Sequence, residues 1–317
     1  MNIQEESAAA FLRRHGMYYQ DFDMAASLYD LMDAMEEDYQ NHGSAGRMIP
    51  AYIGAFHAPV TKRRVTVMDI GGTHVRCAVM ELDHNGLAGI DHLQSFLTPG
   101  VEAPVDTNEF FTRIAQRVRD NLTSDEIGIC FSLATIPQKD KDAVMVAGGK
   151  QIQITDMLGK KVGESFRHAL AGIGHAAGQR ITVINDTVAA ALGGQLPGGI
   201  HTGTGLTYGG YIGFIYGTGM NLCYREPTGE LINTEAGAYC VIPSGDLDDA
   251  YDRTLIDTGK DRLEKMISGG YQGGLMRCIL LAAAREGVIS AKMGERLPPV
   301  FTSKDISAFS KIGRAHV

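Results

Sequence analysis

Two glycine turns and a few well-separated carboxylates and amides carry the chemistry this chain could do. The first turn is Asp69-x-Gly71-Gly72-Thr73-x-x-Arg76, inside VTVMDIGGTHVRCAVMEL. Paired glycines let backbone N–H groups come close to an anion and supply positive φ where a turn needs it. Thr73 adds a hydroxyl donor, and Arg76 a guanidinium able to pair with phosphate oxygens. Asp69, at the tip of the preceding strand, can orient Mg²⁺ through water. The segment is neither a Walker A loop nor a G-x-G-x-x-G turn, and in isolation an ordinary hairpin would also account for it. Gly217-Thr218-Gly219 repeats the pattern between apolar stretches of the second half, so that two turns can clasp one nucleotide. The same tripeptide recurs at Gly203-Thr204-Gly205, which makes the second turn weak by itself.

Asp186 follows the apolar stretch Ile181 to Ile184 and is suited to take the proton of an attacking hydroxyl. Asn185-Asp186-Thr187 reads equally as a helix N-cap, and both roles can hold together. Asn185, Asn221, Glu235 and Glu264 are amides and carboxylates that offer mixed hydrogen-bond donors and acceptors. Any one of them alone reads as a solvated surface residue. Lys150, after Gly148-Gly149, can hold an oxygen or neutralise developing charge, and reads equally as a loop cation.

Alternating strand and helix patterns must position these residues. Residues 7 to 40 show helical periodicity, with Phe11, Met17, Leu28, Met32 and Met35 in a stripe expected to be core. Residues 65 to 82 predict two strands around the Gly-Gly turn, 127 to 133 and 181 to 184 buried strands, and 110 to 122 and 162 to 171 helices. The Ala-rich stretch after Asp186 predicts a helix stopped by Gly193 and Gly194. Pro197 to Gly210 predicts a surface loop, 211 to 224 a strand, turn and strand, and 263 to 286 a helix interrupted at Ser268-Gly269-Gly270. The expectation is an α/β architecture with helix-covered sheets.

Composition bounds the rest. The chain has 317 residues, a formal net charge of −8 and 44% hydrophobic residues. That length and apolar content suffice for two domains with real cores. The acidic balance argues against nucleic-acid or anionic-membrane binding, which needs a basic face. The N-terminus does not read as a secretory signal, and the longest apolar run, Ile279 to Ala284, is too short to span a bilayer. Five scattered cysteines without a C-x-x-C pair suggest reduced thiols in a cytoplasm, and no cluster with metal-ligand spacing predicts a protein-caged metal.

Taken in order, these segments resemble the hexokinase family of the actin-like ATPase superfold, from about residue 45 to about residue 285. The resemblance rests on Arg47 to Ile53, the Asp69 to Arg76 turn, Phe131-Ser132, Ile184-Asn185-Asp186-Thr187, Gly217-Thr218-Gly219-x-Asn221, Asn233-Thr234-Glu235 and Glu264-Lys265-Met266-Ile267-Ser268-Gly269. It implies a two-domain actin-like ATPase (ribonuclease H-like) fold and ATP-dependent phosphorylation of a hexose, most naturally glucose at its 6-hydroxyl. Domain closure over the sugar, with Mg²⁺ arriving on ATP, is part of the same implication. It casts Asp186 as general base. Asp69, Gly71, Gly72, Thr73, Arg76, Gly217, Thr218 and Gly219 fall to the phosphates, and Lys150, Asn185, Asp186, Asn221, Glu235 and Glu264 to the sugar, with Lys150 also a catalytic candidate.

The expected division is an N-terminal helical segment at 1–58, a small domain at 59–190, the first part of a large domain at 191–311, and a non-native tail at 312–317. The resemblance implies a longer C-terminal part with an adenosine-holding segment, so the large domain is expected to be incomplete here. The chain departs from the family pattern at Leu133-Ala134, Thr135-Ile136, Gly149, Ala236, Asp261 and Gly274, which leaves the choice of hexose open. Alternatives are a non-catalytic hexose sensor, an inactive fragment, or another sugar kinase sharing Asp-x-Gly-Gly-Thr.

Overall fold

The computed structural model describes residues 3–41, 45–54, 61–148, 152–175, 178–195 and 212–314. The first half contains α1 (Ile3–Arg14), α2 (Met24–Gln40), β1 (Ile49–Pro50), β2 (Arg63–Ile70), β3 (His74–Asp83), β4 (Gly86–Leu97), α3 (Thr107–Val118), β5 (Glu126–Phe131), β6 (Thr135–Pro137) and β7 (Ala143–Met145). There follow α4 (Val162–Gly172), β8 (Arg180–Ile184), α5 (Asp186–Gln195), β9 (Ile212–Tyr216), β10 (Met220–Arg225) and β11 (Leu231–Asn233). The last elements are α6 (Asp246–Asp252), α7 (Arg262–Ile267), α8 (Gly269–Arg285), α9 (Ala291–Glu295) and α10 (Ser303–Arg314). The chain divides into two units, Met48–Phe214 with Leu222–Thr234, and Met1–Arg47 with Ile215–Asn221 and Glu235–Val317.

The Met48–Phe214 unit is built on a five-stranded sheet in the order β4-β3-β2-β5-β8. β3 pairs antiparallel with β2 and β4, while β5 runs parallel to β2 and β8. Strand periodicity explains its packing. Thr66, Met68 and Ile70 of β2, Ile127, Ile129 and Phe131 of β5, and Ile181 and Val183 of β8 are buried at alternate positions. Helices α3 and α4 contribute Phe110, Phe111, Ile114, Phe166 and Leu170 to the same core. α3 starts where Asp106 accepts the N–H of Glu109, the expected N-cap bond. The parallel register sets Asp69 beside Cys130 and Cys130 beside Ile184, so the C-terminal ends of β2, β5 and β8 come level. A second sheet, β1-β11-β10-β9, pairs Ile49 with Asn233 and Cys223 with Asn233, both antiparallel.

In the other unit, Phe11 of α1, Leu247 of α6 and Ala282 and Ala283 of α8 form a small core. The structure corrects four expectations. The helical stretch from 7 to 40 is two helices, because the chain reverses at Gly16 (φ +65) and Asp23 caps α2 by accepting the N–H of Ala26. Of the apolar stripe Phe11 is core and Met17 packs against it, while Leu28 and Met32 of α2, with Met24 beside them in sequence, are exposed. Helix α5 is not stopped by Gly193 and Gly194 but runs through them to Gln195, since an α-helix tolerates glycine at a modest propensity cost. The break between α7 and α8 is confined to Ser268. The predicted loop Pro197 to Gly210 lies outside the described residues.

Candidate active site

One cluster of predicted residues forms at the level strand ends of the Met48–Phe214 unit. The β2–β3 turn carries Gly71, Gly72 and Thr73, and cross-strand pairing places Arg76 opposite Asp69. The Arg76 guanidinium donates to Asp69 Oδ2 at 2.9 Å, so part of the Asp69 charge is already balanced. Gly71 does not use the positive φ expected of it. What it provides is room, because a Cβ there would lie 3.2 Å from the carbonyl oxygen of His74, which accepts the Gly71 N–H. Thr98, buried at the end of β4, secures the turn from behind. Its hydroxyl donates to Gly71 O at 2.8 Å and its N–H to Thr73 O at 2.9 Å.

Asp186 opens α5 immediately after β8. Asn185 caps the helix, its Oδ1 accepting the N–H of Thr187 at 2.8 Å, and Asp186 Oδ1 accepts the same N–H at 2.8 Å. Burial pushes the Asp186 carboxyl above its ordinary value. The bonds from Thr187 oppose this, and the negative charge of Asp69 adds to the rise. A carboxylate with a raised pKa is a better proton acceptor than a solvated one. Cys130 completes this cluster and was missed in the sequence. Burial, then the charges of Asp69 and Asp186, hold its thiol neutral. Its signal was one position before Phe131-Ser132, and only the parallel register reveals its neighbours.

A second cluster lies in the Glu235–Val317 unit with its insert Ile215–Asn221. Gly217, Thr218 and Gly219 turn between β9 and β10, with the N–H of Gly217 donating to Gly219 O at 2.9 Å. Asn221 donates through Nδ2 to Glu235 Oε1 at 3.1 Å, and its Oδ1 accepts the N–H of Ala236 at 3.4 Å. Glu264 Oε2 accepts the N–H of Met220 at 3.1 Å. Glu235 has φ 50, and Asp261, which precedes α7, has φ 49. Each left-handed non-glycine residue costs about 1 kcal/mol and marks backbone held by its surroundings. Both segments bearing the predicted sugar carboxylates therefore carry such strain.

The structure thus brings Asp69, Gly71, Gly72, Thr73, Arg76, Asn185 and Asp186 together in one unit, and Gly217, Thr218, Gly219, Asn221, Glu235 and Glu264 in the other. Lys150 lies outside the described residues. Among the described residues there is no group of three or more His, Cys, Asp or Glu side chains able to cage a metal. Asp69 and Asp186 do offer hard carboxylate oxygens, which suit a Mg²⁺ held mainly by nucleotide phosphates. No helix of the described residues is long and apolar enough to cross a membrane.

A family model described as hexokinase matches residues 15–196, and a second hexokinase model matches residues 211–314. Hexokinase-1 of Pongo abelii is 26% identical over 320 residues, a match covering 89% of this chain and 33% of that protein. Human hexokinase-2 is 27% identical over 301 residues, covering 84% and 31%. The chain therefore spans about a third of the length of the curated relatives it matches. Among solved structures, hexokinase from Schistosoma mansoni complexed with glucose superposes with a TM-score of 0.68 at 22% identity, covering 94% of this chain and 70% of the other. A further hexokinase crystal structure gives 0.69 at 23%, covering 90% and 68%. These two likenesses establish the fold, an α/β actin-like ATPase architecture.

Proposed function

The chain belongs to the hexokinase family, and from that premise we propose that it transfers the γ-phosphoryl group of ATP to a hexose, with glucose and its 6-hydroxyl as first choice. The observation that carries this reading is Asp186, a half-buried carboxylate of raised pKa just after β8, in one cluster with Asp69, Arg76 and the Gly71–Thr73 turn. In the proposed step the hexose oxygen bonds to the γ-phosphorus, the bond to the β–γ bridging oxygen breaks, ADP leaves, and the hydroxyl proton goes to Asp186. Phosphoryl transfer of this kind asks mainly for positioning and charge neutralisation. Arg76, Thr73 and the backbone N–H groups of the two glycine turns are assigned to the phosphates. Asn185, Asn221, Glu235 and Glu264 are assigned to the sugar hydroxyls, and Lys150 is assigned to the sugar as well. Asp69 would hold Mg²⁺ through water, where the ion neutralises phosphate charge. The glucose in the Schistosoma mansoni structure supports a hexose as substrate. A reducing cytoplasm, in keeping with five free cysteines, belongs to the same proposal.

The test is Asp186→Ala. Loss of a general base should lower kcat by about 10²- to 10⁴-fold, with hexose affinity by calorimetry changed little. Unaltered turnover would remove Asp186 from the reaction.

A further inference from the structure

Glu264 is held in place by an arrangement that its own helix does not supply. It sits on α7, and its Oε2 reaches the backbone N–H of Met220 at 3.1 Å, one residue beyond Gly219. Two glycines make that approach sterically allowed. A Cβ on Gly219 would lie 2.6 Å from Glu264 Oε2. A Cβ on Gly237 would lie 2.9 Å from Met220 O, 3.0 Å from Glu264 Cβ and 3.3 Å from Glu264 Oε2. Neither glycine has a positive φ, so the backbone conformation at these positions is open to any residue and the demand is for space. Gly237 is buried in the short 3₁₀ turn Ala236–Ala238 that follows the left-handed Glu235. The start of α8 closes the assembly from another side. Gly269 N–H donates to Gly217 O at 2.8 Å and Gly270 N–H to Thr218 O at 2.9 Å. Three hydrogen bonds therefore join the α7–α8 segment to the Gly217–Gly219 turn and the residue after it.

We infer that Gly237 is a positioning residue for Glu264. Its missing side chain lets the carboxylate close on the Met220 amide, so that the carboxylate and the glycine turn move as one piece. What the two ends of that piece hold, hexose at Glu264 and ATP phosphate at the turn, rests on the proposed function; the steric coupling itself does not. A methyl group at 237 has to displace either the Met220 carbonyl or the Glu264 side chain. Both displacements stretch the bond from the Met220 N–H to Glu264 Oε2.

Two readouts on the 317-residue chain test this separately. In amide NMR spectra, Glu264→Ala removes the acceptor of Met220 N–H and shifts that resonance upfield. Gly237→Ala is expected to shift it in the same direction while the other core amides stay in place. In kinetics, Gly237→Ala is expected to lower kcat/KM for the hexose by about a hundredfold, the scale of a misplacement near 1 Å. Added to Glu264→Ala it should cost less than about twofold more, because both changes act through one group. If the methyl group unfolds the chain, Gly237→Ala with Glu264→Gly, which removes both the Cβ and the carboxylate that the methyl group meets, should recover part of the lost stability in urea unfolding. A Met220 amide unmoved by Gly237→Ala, full additivity with Glu264→Ala, or no recovery of stability with Glu264→Gly overturns the inference. If the amide moves in both variants while Glu264→Ala leaves hexose kinetics unaltered, the positioning stands and it is the sugar-binding role of Glu264 that falls.

Discussion

At Asp186 two requirements meet in one side chain. Its carboxylate takes the Thr187 N–H at the start of α5, and its burial beside Asp69 raises the pKa. A base must be unprotonated to work, so activity should fall as pH drops through that raised value. We predict that the acid limb of kcat/KM lies above the ordinary carboxylate value of about 3.9. Asp69→Asn, which removes the neighbouring charge, should move the limb to lower pH whatever it does to the maximal rate. A limb at or below the ordinary value, or one that Asp69→Asn leaves in place, contradicts this account of the base. Much of this cluster was legible from residue types, because hairpin pairing places Asp69 and Arg76 opposite each other once the Gly-Gly turn is seen. Cys130 and Thr98 were not legible. One reaches the site through parallel pairing of β2 with β5, and the other closes on the turn from the end of β4, and neither relation leaves a local pattern.

At the scale of elements, charged groups that look like surface residues in the sequence lock helices together. His15, just after α1, is bonded at Nδ1 to Asp246 at 2.7 Å and at Nε2 to Glu286 at 2.6 Å, an arrangement that favours the imidazolium, in which both ring nitrogens donate to the two carboxylates. Burial works against that charge, but the two carboxylates outweigh it and the pKa is raised. The sign follows from linkage. Stability from this clamp is fully present below the unfolded value of about 6.5 and is lost as pH rises through the higher folded value. His15→Gln should therefore flatten the alkaline part of the stability–pH curve, read by urea unfolding, and an unchanged slope would contradict the clamp.

A buried network works in the opposite direction of pH. Lys265 of α7, its side chain 4% exposed, meets Asp252 of α6 at 2.8 Å and Asp257 at 3.1 Å, and Arg262 meets Asp252 at 3.0 Å. Burial alone would raise the Asp252 pKa, yet Lys265, the Gly259 N–H and Arg262 together lower it. Its contribution is thus present above the unfolded carboxylate value and lost as pH falls through the folded one. Lys265→Met leaves Asp252 with Arg262 and the Gly259 N–H and should cost about 3 kcal/mol of unfolding free energy. A loss under about 1 kcal/mol would place the network with ordinary surface pairs. The periodic elements α3, α4, β5 and β8 were readable because their apolar residues repeat with a clear period. β4, with most of its side chains exposed, and short elements such as β6, β7 and α6 carry too little periodicity to be seen.

For the whole molecule, the order of short motifs along the chain carried the fold and the family, whereas no single motif would have. The exposed face of α2, with Met24, Leu28 and Met32 turned outward, shows the limit of that reading, because a helical stripe states a periodicity and not what covers it. Hexokinase-type transfer makes a demand on the whole protein that no cluster meets alone, namely that water must not replace the sugar hydroxyl. ATP consumption should therefore be slow without hexose and rise steeply with it. The most direct test is to incubate the purified chain with γ-labelled ATP and Mg²⁺, with and without each hexose of a panel, and to measure label in sugar phosphate and in free phosphate. The account predicts label in a hexose phosphate, with glucose among the acceptors, little free phosphate when sugar is absent, and loss of transfer in Asp186→Ala. Equal phosphate release with and without hexose, or hexose binding with no label transferred, would contradict it.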